Sequence, residues 1–369
     1  MGVSGKCGAF IPSEPILAPE TVAADRFSDT RNPLDIPLRL LVLMPVYEDW
    51  ASAAEVCRRI DSSFPAAWAA ELHVILINDG SRSPYQPAFE SIRLNVIEDI
   101  SVLELHRNLG HQRAIAIGLA YVAANLSADG VLVMDADGED PPEQIPDLIR
   151  EAERQRLSAV VFAERGRRVE GWLFQVFYFF YRVLHYLLTG RKIRVGNFSF
   201  LPWSLLQSLI TYPELWNHYA AAVLQSRLPR AMTRLDRGAR IQGKSKMGFV
   251  DLVMHGMSAL FAYHDLVSTR LLFGNFILIL ISGAIILALM AGRGIGALST
   301  PGTAVVAILM IVGQFSTLSL LAIFLAVMNR SSYQFLPARD YVHFVRGLFR
   351  ITGRQPIGET PIIKHAAKP

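Results

Sequence analysis

Cysteine is almost absent from this chain of 369 residues, which has only Cys7, in a polar stretch, and Cys57, in a helical one. No C-x-x-C and no His/Cys ligand spacing accompanies them. That excludes a disulfide framework and a structural zinc site, and leaves two reduced thiols as the expectation. Net charge is also small: 36 basic residues stand against 32 acidic ones, giving +4, so composition gives no reason to expect a nucleic-acid partner. A signal peptide is missing at the start. Residues 1–37 mix Pro, Ala, Ser and scattered charges without a sustained apolar core, and read as a disordered cytoplasmic tail. Met1-Gly2 is not followed by the Ser or Thr that myristoylation needs at the sixth position, where Lys6 stands. No G-x-G-x-x-G follows the first strand, which argues against a dinucleotide-binding oxidoreductase.

What the chain has in excess is apolar residues, 51% of the total. That fraction fits a soluble domain joined to membrane spans. From Leu38 the pattern is α/β. Apolar runs at 38–44, 73–77, 101–105, 130–134 and 159–163 read as buried strands, and 51–63, 112–124 and 141–155 read as the helices between them. This alternation predicts a mostly parallel sheet with helices on both faces, binding its ligands at the carboxyl ends of the strands.

Further on, 271–291 and 303–328 carry no charge, and each exceeds the ~20 residues that cross a ~30 Å hydrocarbon core. Arg330, Arg339, Arg346, Arg350, Arg354, Lys364 and Lys368 follow. The positive-inside rule then places 330–369 in the cytoplasm as a basic tail, and two spans put the α/β domain there as well. Residues 171–188 are dense in aromatics and follow Arg165, Arg167 and Arg168, as expected of a helix lying in the membrane interface. Residues 247–265 are read as a second interfacial helix leading into a two-helix anchor over 266–329.

Three strand ends hold candidate chemistry. Asp135 and Asp137, two residues apart in Val133-Met134-Asp135-Ala136-Asp137-Gly138-Glu139-Asp140, project the same way if the backbone is extended. With Glu139 they offer hard oxygen ligands for Mg²⁺ or Mn²⁺ and for a diphosphate. The plainer reading is an acidic loop capping the next helix. Pro45-Val46-Tyr47-Glu48-Asp49 ends the first strand, and Asn78-Asp79-Gly80-Ser81 the second. Both suit a base and ribose, or else ordinary capping and turns.

The order P-V-Y, N-D-G-S, R-N-x-G-H-Q-x-A-x-x-x-G and D-A-D-x-x-D-P-P-E resembles glycosyltransferase family 2. Its nearest branch is the dolichol-phosphate mannose synthase and polyprenyl-phosphate glycosyltransferase type. The third element stands here as Arg107, Asn108, Gly110, His111, Gln112, Ala114 and Gly118, and Arg240 to Met247 matches the branch's R-x-x-G-x-S-K stretch. The resemblance covers roughly 38–330. It implies a GT-A fold over 38–246, a divalent metal, and inversion at the anomeric carbon. The donor would be a UDP- or GDP-sugar and the acceptor a membrane lipid, chiefly polyprenyl phosphate, in cell-envelope glycan synthesis at a bacterial inner membrane. Homo-oligomerisation is compatible with it.

By residue, the resemblance implies nucleoside contacts from Pro45, Tyr47, Glu48, Asp79 and Arg107. It implies metal and catalytic roles for Asp135 and Asp137, with Glu139 as a further ligand. Phosphate or acceptor contacts would come from Arg240, Ser245, Lys246, Gln112 and Asn197. The branch usually carries a carboxylate near the position of Asn197, within Arg194 to Leu201. Its absence turns attention to Asp251, His218 and His255 as bases, or to an acceptor that needs none. It also motivates two alternatives: a transferase acting on another glycolipid or polysaccharide, and a non-catalytic membrane scaffold that keeps the fold. The chain shows neither the many spans nor the Q-x-x-R-W of long processive synthases.

Overall fold

The structure, a computed structural model, describes residues 38–65, 68–165, 172–190, 195–241, 256–258, 260, 262–293, 301–330 and 335–353. The expected tail over 1–37, with Cys7, lies outside the described residues, and so does most of the expected interfacial helix at 247–265.

In chain order the elements are β1 (Leu38–Val46), α1 (Trp50–Ser63), β2 (Ala69–Asn78), α2 (Gln86–Phe89), β3 (Asp99–Leu105), α3 (His111–Asn125) and β4 (Gly130–Val133). Then come α4 (Ile145–Arg154), β5 (Val160–Arg165), α5 (Trp172–Thr189), β6 (Val195–Pro202), α6 (Trp203–Leu209), α7 (Tyr219–Gln225) and β7 (Arg230–Leu235). The chain ends with α8 (His264–Arg293), α9 (Pro301–Arg330), α10 (Pro337–Asp340) and β8 (Val345–Gly353). All eight strands join one mixed sheet in the order β7-β5-β6-β4-β1-β2-β3-β8. β1 pairs in parallel with β2 and β4, β2 with β3, and β5 with β7. β6 and β8 run antiparallel to their neighbours.

The five apolar runs form strands because both of their faces are covered. On β1, Leu41 and Leu43 enter the core under α3, α6 and α7, while Leu40, Val42 and Met44 enter the core under α1 and α4. Alternate residues point to opposite faces, so a strand buried on both sides is apolar without interruption. Cys57 is fully buried in the second core, and burial pushes its thiol well up, away from reactivity. The helix expected over 141–155 is divided. A 3₁₀ turn at Pro142–Gln144 precedes α4, whose Pro146 sits in the first turn, where a missing N–H costs nothing.

The expected spans lie on α8 and α9. Among the described residues, one stretch is long and apolar enough to cross a membrane, His264–Ile285; α9 contributes the shorter apolar stretch Val306–Ala322. Large apolar side chains stand exposed on both helices, Phe273 at 65%, Leu309 at 64% and Phe315 at 68%. Across the pair, Thr317 Oγ1 donates to Asn275 Oδ1 at 2.7 Å. At the base of the pair, Val267 and Phe324 pack with Ala221 of α7, seating it on the sheet domain.

Residues 330–369 were expected only as a basic tail. They contain α10 and β8 instead, and β8 closes the β3 edge of the sheet.

Candidate active site

The site lies where the β1, β2, β3 and β4 ends meet. Gly80 has φ +73°, and a Cβ there would stand 2.4 Å from the backbone nitrogen of Asn108. Only glycine lets the β2 turn and the β3–α3 loop approach this closely. Asp79, 2% exposed, reaches across the same gap. Its Oδ1 accepts from Leu109 N–H at 2.7 Å and its Oδ2 from Gly110 N–H at 3.0 Å. Burial pushes its pKa up to about 6 against the pull of those two amides and of His111 and Arg107. The carboxylate expected to face a base is thus engaged with backbone.

Glu48 is engaged in the same manner. It has φ 53°, an uncommon left-handed conformation for a residue other than glycine. Its carboxylate accepts from Arg82 N–H at 2.5 Å and from Ser83 Oγ at 2.5 Å, while Glu48 N–H donates to Ser81 Oγ at 2.9 Å. These bonds latch the β1 turn to the β2 turn. Tyr47 is 48% exposed beside them, Pro45 is buried at the end of β1, and Arg107 lies on the surface.

The β4 end carries the acids. Asp140, buried, accepts from Asp135 N–H at 2.9 Å and shapes the turn. Gly138, at φ +86°, lets the chain segment after β7 lie against the loop: Gly238 N–H donates to Glu139 O and Ile241 N–H to Asp137 O. This contact brings two arginines over the acids. Arg240 stands 3.2 Å from Asp137 Oδ2 and 3.7 Å from Asp49 Oδ2, and Arg237 pairs with Glu139. Burial first, then the charge of Asp135, hold the Asp137 carboxyl above its ordinary range; Arg240, His111 and Arg237 oppose the shift. Asp135 Oδ1 faces His111 Nε2 at 3.0 Å and Asn197 Nδ2 at 3.2 Å. Burial alone would lower the His111 pKa, but Asp135, Asp137 and Asp79 together hold it above the ordinary value.

The orientation of Asn197 follows from a chain of bonds. Tyr219 N–H, a donor only, gives to Gln112 Oε1 at 2.8 Å. Gln112 must therefore present Nε2 to Asn197 Oδ1, 3.1 Å away, which leaves Asn197 Nδ2 facing Asp135. Asn197 is a donor held against the acids.

The structure brings together Asp135, Asp137, Glu139, Arg240, Gln112 and Asn197. Asp79, Glu48 and Arg107 lie on the flanking loops. Ser245 and Lys246 fall outside the described residues, as do Asp251 and His255. His218 caps α7, its ring accepting from Ala221 N–H. Sequence reading left out Arg237 and gave His111 no role, although each adjoins or belongs to a motif that it identified. Among the described residues no three His, Cys, Asp or Glu side chains are gathered to hold a metal. The donor chemistry of Asp135 and Asp137 nevertheless fits Mg²⁺ or Mn²⁺, because both offer hard carboxylate oxygens at one strand end. Arg237 and Arg240 supply positive charge there, and His111 adds to it when protonated.

A profile described as glycosyl transferase family 2 matches residues 41–206. An uncharacterized glycosyltransferase of Synechocystis sp. is 24% identical over 61% of this chain and 70% of its own length. The undecaprenyl-phosphate 4-deoxy-4-formamido-L-arabinose transferases of Erwinia tasmaniensis and Pseudomonas fluorescens are each 31% identical over 36% of this chain. Those alignments span 39% and 37% of the two relatives, well under half their length. Among solved structures, glucosyl-3-phosphoglycerate synthase from Mycobacterium tuberculosis, in complex with Mn²⁺, UDP-glucose and phosphoglyceric acid, is 16% identical. Its TM-score is 0.46 over 62% of this chain and 80% of that one. Residues 41–206, which hold the β1, β2, β3 and β4 strand ends and their acids, are the part of the chain that is similar to glycosyl transferase family 2.

Proposed function

We propose that this protein is an inverting glycosyltransferase that moves a sugar from a nucleoside-diphosphate sugar onto a lipid-linked acceptor, polyprenyl phosphate, at the cytoplasmic face of a membrane. The observation that carries the reading is the Asp135/Asp137 pair at the β4 end, faced by Arg237, Arg240 and His111. Such a mixed-charge site suits a bound diphosphate, whose charge is balanced by cations as the sugar departs.

In this reading an acceptor phosphate oxygen forms the new bond to the anomeric carbon. The bond from that carbon to the diphosphate oxygen breaks, and nucleoside diphosphate leaves. A divalent ion held by Asp135 and Asp137, with Glu139 nearby, would neutralise charge on the leaving group. Arg240 moves from Asp137 to the phosphates when they arrive. Tyr47, Pro45 and Arg107 border the nucleoside, with Glu48 and Asp79 setting the loops beneath it. Ser245 and Lys246, which follow Arg240 in sequence, are the further phosphate-binding residues of this reading. Asn197 cannot accept a proton, and Gln112 locks it as a donor toward Asp135. That arrangement favours an acceptor already ionised, such as a phosphate monoester with a second pKa of about 6, over a hydroxyl that needs a base.

The apolar exterior and polar inner contact of α8 and α9 support a membrane hairpin, as does the exposed apolar side of α5, with Phe179 at 61% and Leu187 at 64%. Thr317→Val should weaken the helix pair by about 0.6 kcal/mol, read from unfolding in detergent; a loss above about 2 kcal/mol would mean that the bond does more than pair two helices.

The test of function is nucleotide release by the full chain in lipid with Mn²⁺ or Mg²⁺, across UDP- and GDP-sugars, with and without polyprenyl phosphate. Release that requires both metal and lipid phosphate is expected. Nucleotide binding without lipid-stimulated release would move the acceptor to another glycolipid or polysaccharide. No nucleotide binding at all would leave the scaffold reading in place.

A further inference from the structure

The residues that follow the helix pair return to the sheet and end beside the donor loops. β8 pairs antiparallel with β3 from Leu105↔Val345 to Asp99↔Gly353. Just before it, the carbonyl of Phe344 accepts from His106 N–H at 2.9 Å, and the Phe344 ring lies 5.9 Å from the Arg107 guanidinium. An aromatic cluster holds this segment down. Trp216 stands 3.8 Å from Phe335 and 5.5 Å from Phe344, ring centre to ring centre, with Arg113 of α3 at 5.0 Å on Trp216. Next on β8, Arg346 reaches Glu104 at 3.5 Å.

Beside these contacts lies an open polar cavity of about 330 Å³, lined on one side by Ser81, Arg82 and Tyr85 of the β2 turn and on the other by Glu104, Arg107 and Arg346. It offers an aromatic face, a carboxylate acceptor and three guanidinium donors, the equipment that recognises the polar edges of a nucleoside. One wall belongs to β8, more than a hundred residues beyond the segment that matches the family.

We infer that the C-terminal segment 335–353 completes the donor site: Phe344 positions Arg107, and Arg346 borders the nucleoside end of the nucleotide sugar. The inference rests on the glycosyltransferase reading and adds residues to it. The β3–α3 loop carries Arg107 and leads directly into His111 at the start of α3, so a strap on its outer side sets both the nucleoside contact and the approach to Asp135. Nucleotide affinity then depends on chain that follows the helix pair, and the family-matched segment alone is not a complete donor site.

The test uses the full chain in lipid nanodiscs, titrated with UDP and with GDP, together with donor kinetics for whichever sugar nucleotide is turned over. Phe344→Ala is expected to weaken nucleotide binding about fivefold, the size of a lost cation–π contact, and to raise donor KM with kcat nearly constant. Phe344→Tyr restores the aromatic face and should restore affinity. Arg346→Gln, a surface change that spares the core, should weaken binding independently of any effect on folding, and melting curves of all three variants report that effect. A wild-type chain that binds nucleotide, with Phe344→Ala and Arg346→Gln both binding it equally well, overturns the role of the strap and leaves the transferase reading intact. A wild-type chain that binds neither nucleotide overturns both.

Discussion

Replacing Asp137 by Asn lowers turnover by about 10²–10³-fold, the range found when one preorganised electrostatic contact to a transition state is removed. The substitution keeps the shape of the side chain. Its Oδ1 can still accept from Glu139 N–H, the 3.0 Å bond that holds the loop, so the backbone around Asp135 stays in place. What goes is a negative charge between Asp135 and Arg240. Asp137 titrates above its ordinary range because burial and a neighbouring carboxylate disfavour its ionised form. An acid with a raised folded-state pKa makes the protein less stable as pH rises through that range. Losing the charge at neutral pH therefore leaves the melting temperature unchanged or slightly higher. Nucleotide release and thermal unfolding, measured on the same lipid-embedded sample, separate the two effects. Turnover within threefold of wild type would remove Asp137 from the chemistry.

Asp79→Ala acts on folding, with an unusual pH signature. Removing the carboxylate orphans the buried amide of Leu109, at about 1–3 kcal/mol, and frees the part-buried amide of Gly110 at a smaller cost. The wild-type group also carries a cost. Its pKa rises from about 3.9 in the unfolded chain to about 6 in the folded one, so ionisation destabilises the wild type by up to about 3 kcal/mol at neutral pH and scarcely at all near pH 4. The alanine variant lacks that cost. Wild type and variant therefore differ most in acid, and the gap narrows as pH rises from about 4 to about 6. Denaturant unfolding across that interval measures it. A gap that widens with pH would show that the amides, and not burial, dominate the Asp79 carboxylate.

Much of the sheet could be read from the sequence, because β1 to β5 are apolar on both faces and the turn residues after them are punctuation. The later strands give no such signal. β6 reads Val-Gly-Asn-Phe-Ser-Phe-Leu-Pro, with a glycine, an asparagine and a serine interrupting the apolar run, since it carries Asn197 into the site. β7, an edge strand, leaves Arg230, Met232 and Arg234 exposed. β8 contains two arginines and two glycines and sits in a basic stretch, so charge suggested a tail while pairing with β3 made it a strand. The site divides in a comparable way. The acids of D-x-D are local in sequence and legible there. The arginines over them, and His111 beside Asp135, come from residues brought near by the fold, and no spacing rule reports that. Asp79 and Glu48 stand where their motifs place them, yet their oxygens turn to backbone amides, because adjacent loops with buried N–H groups need acceptors.

The lateness of β8 also has a consequence in time. Its partner strand is made first, some 240 residues earlier: Glu104 and Arg346 are 242 positions apart. At about 5–20 residues per second, a ribosome takes roughly 12–50 s to cover that distance. Throughout that interval the nascent β3 presents an open ladder of N–H and C=O groups, the kind of edge that templates aggregation. Synthesis of α8 and α9 falls within the same window. If the helix pair enters a bilayer as proposed above, the sheet is finished only after that entry, and completion of the proposed nucleotide loops is then coupled to it.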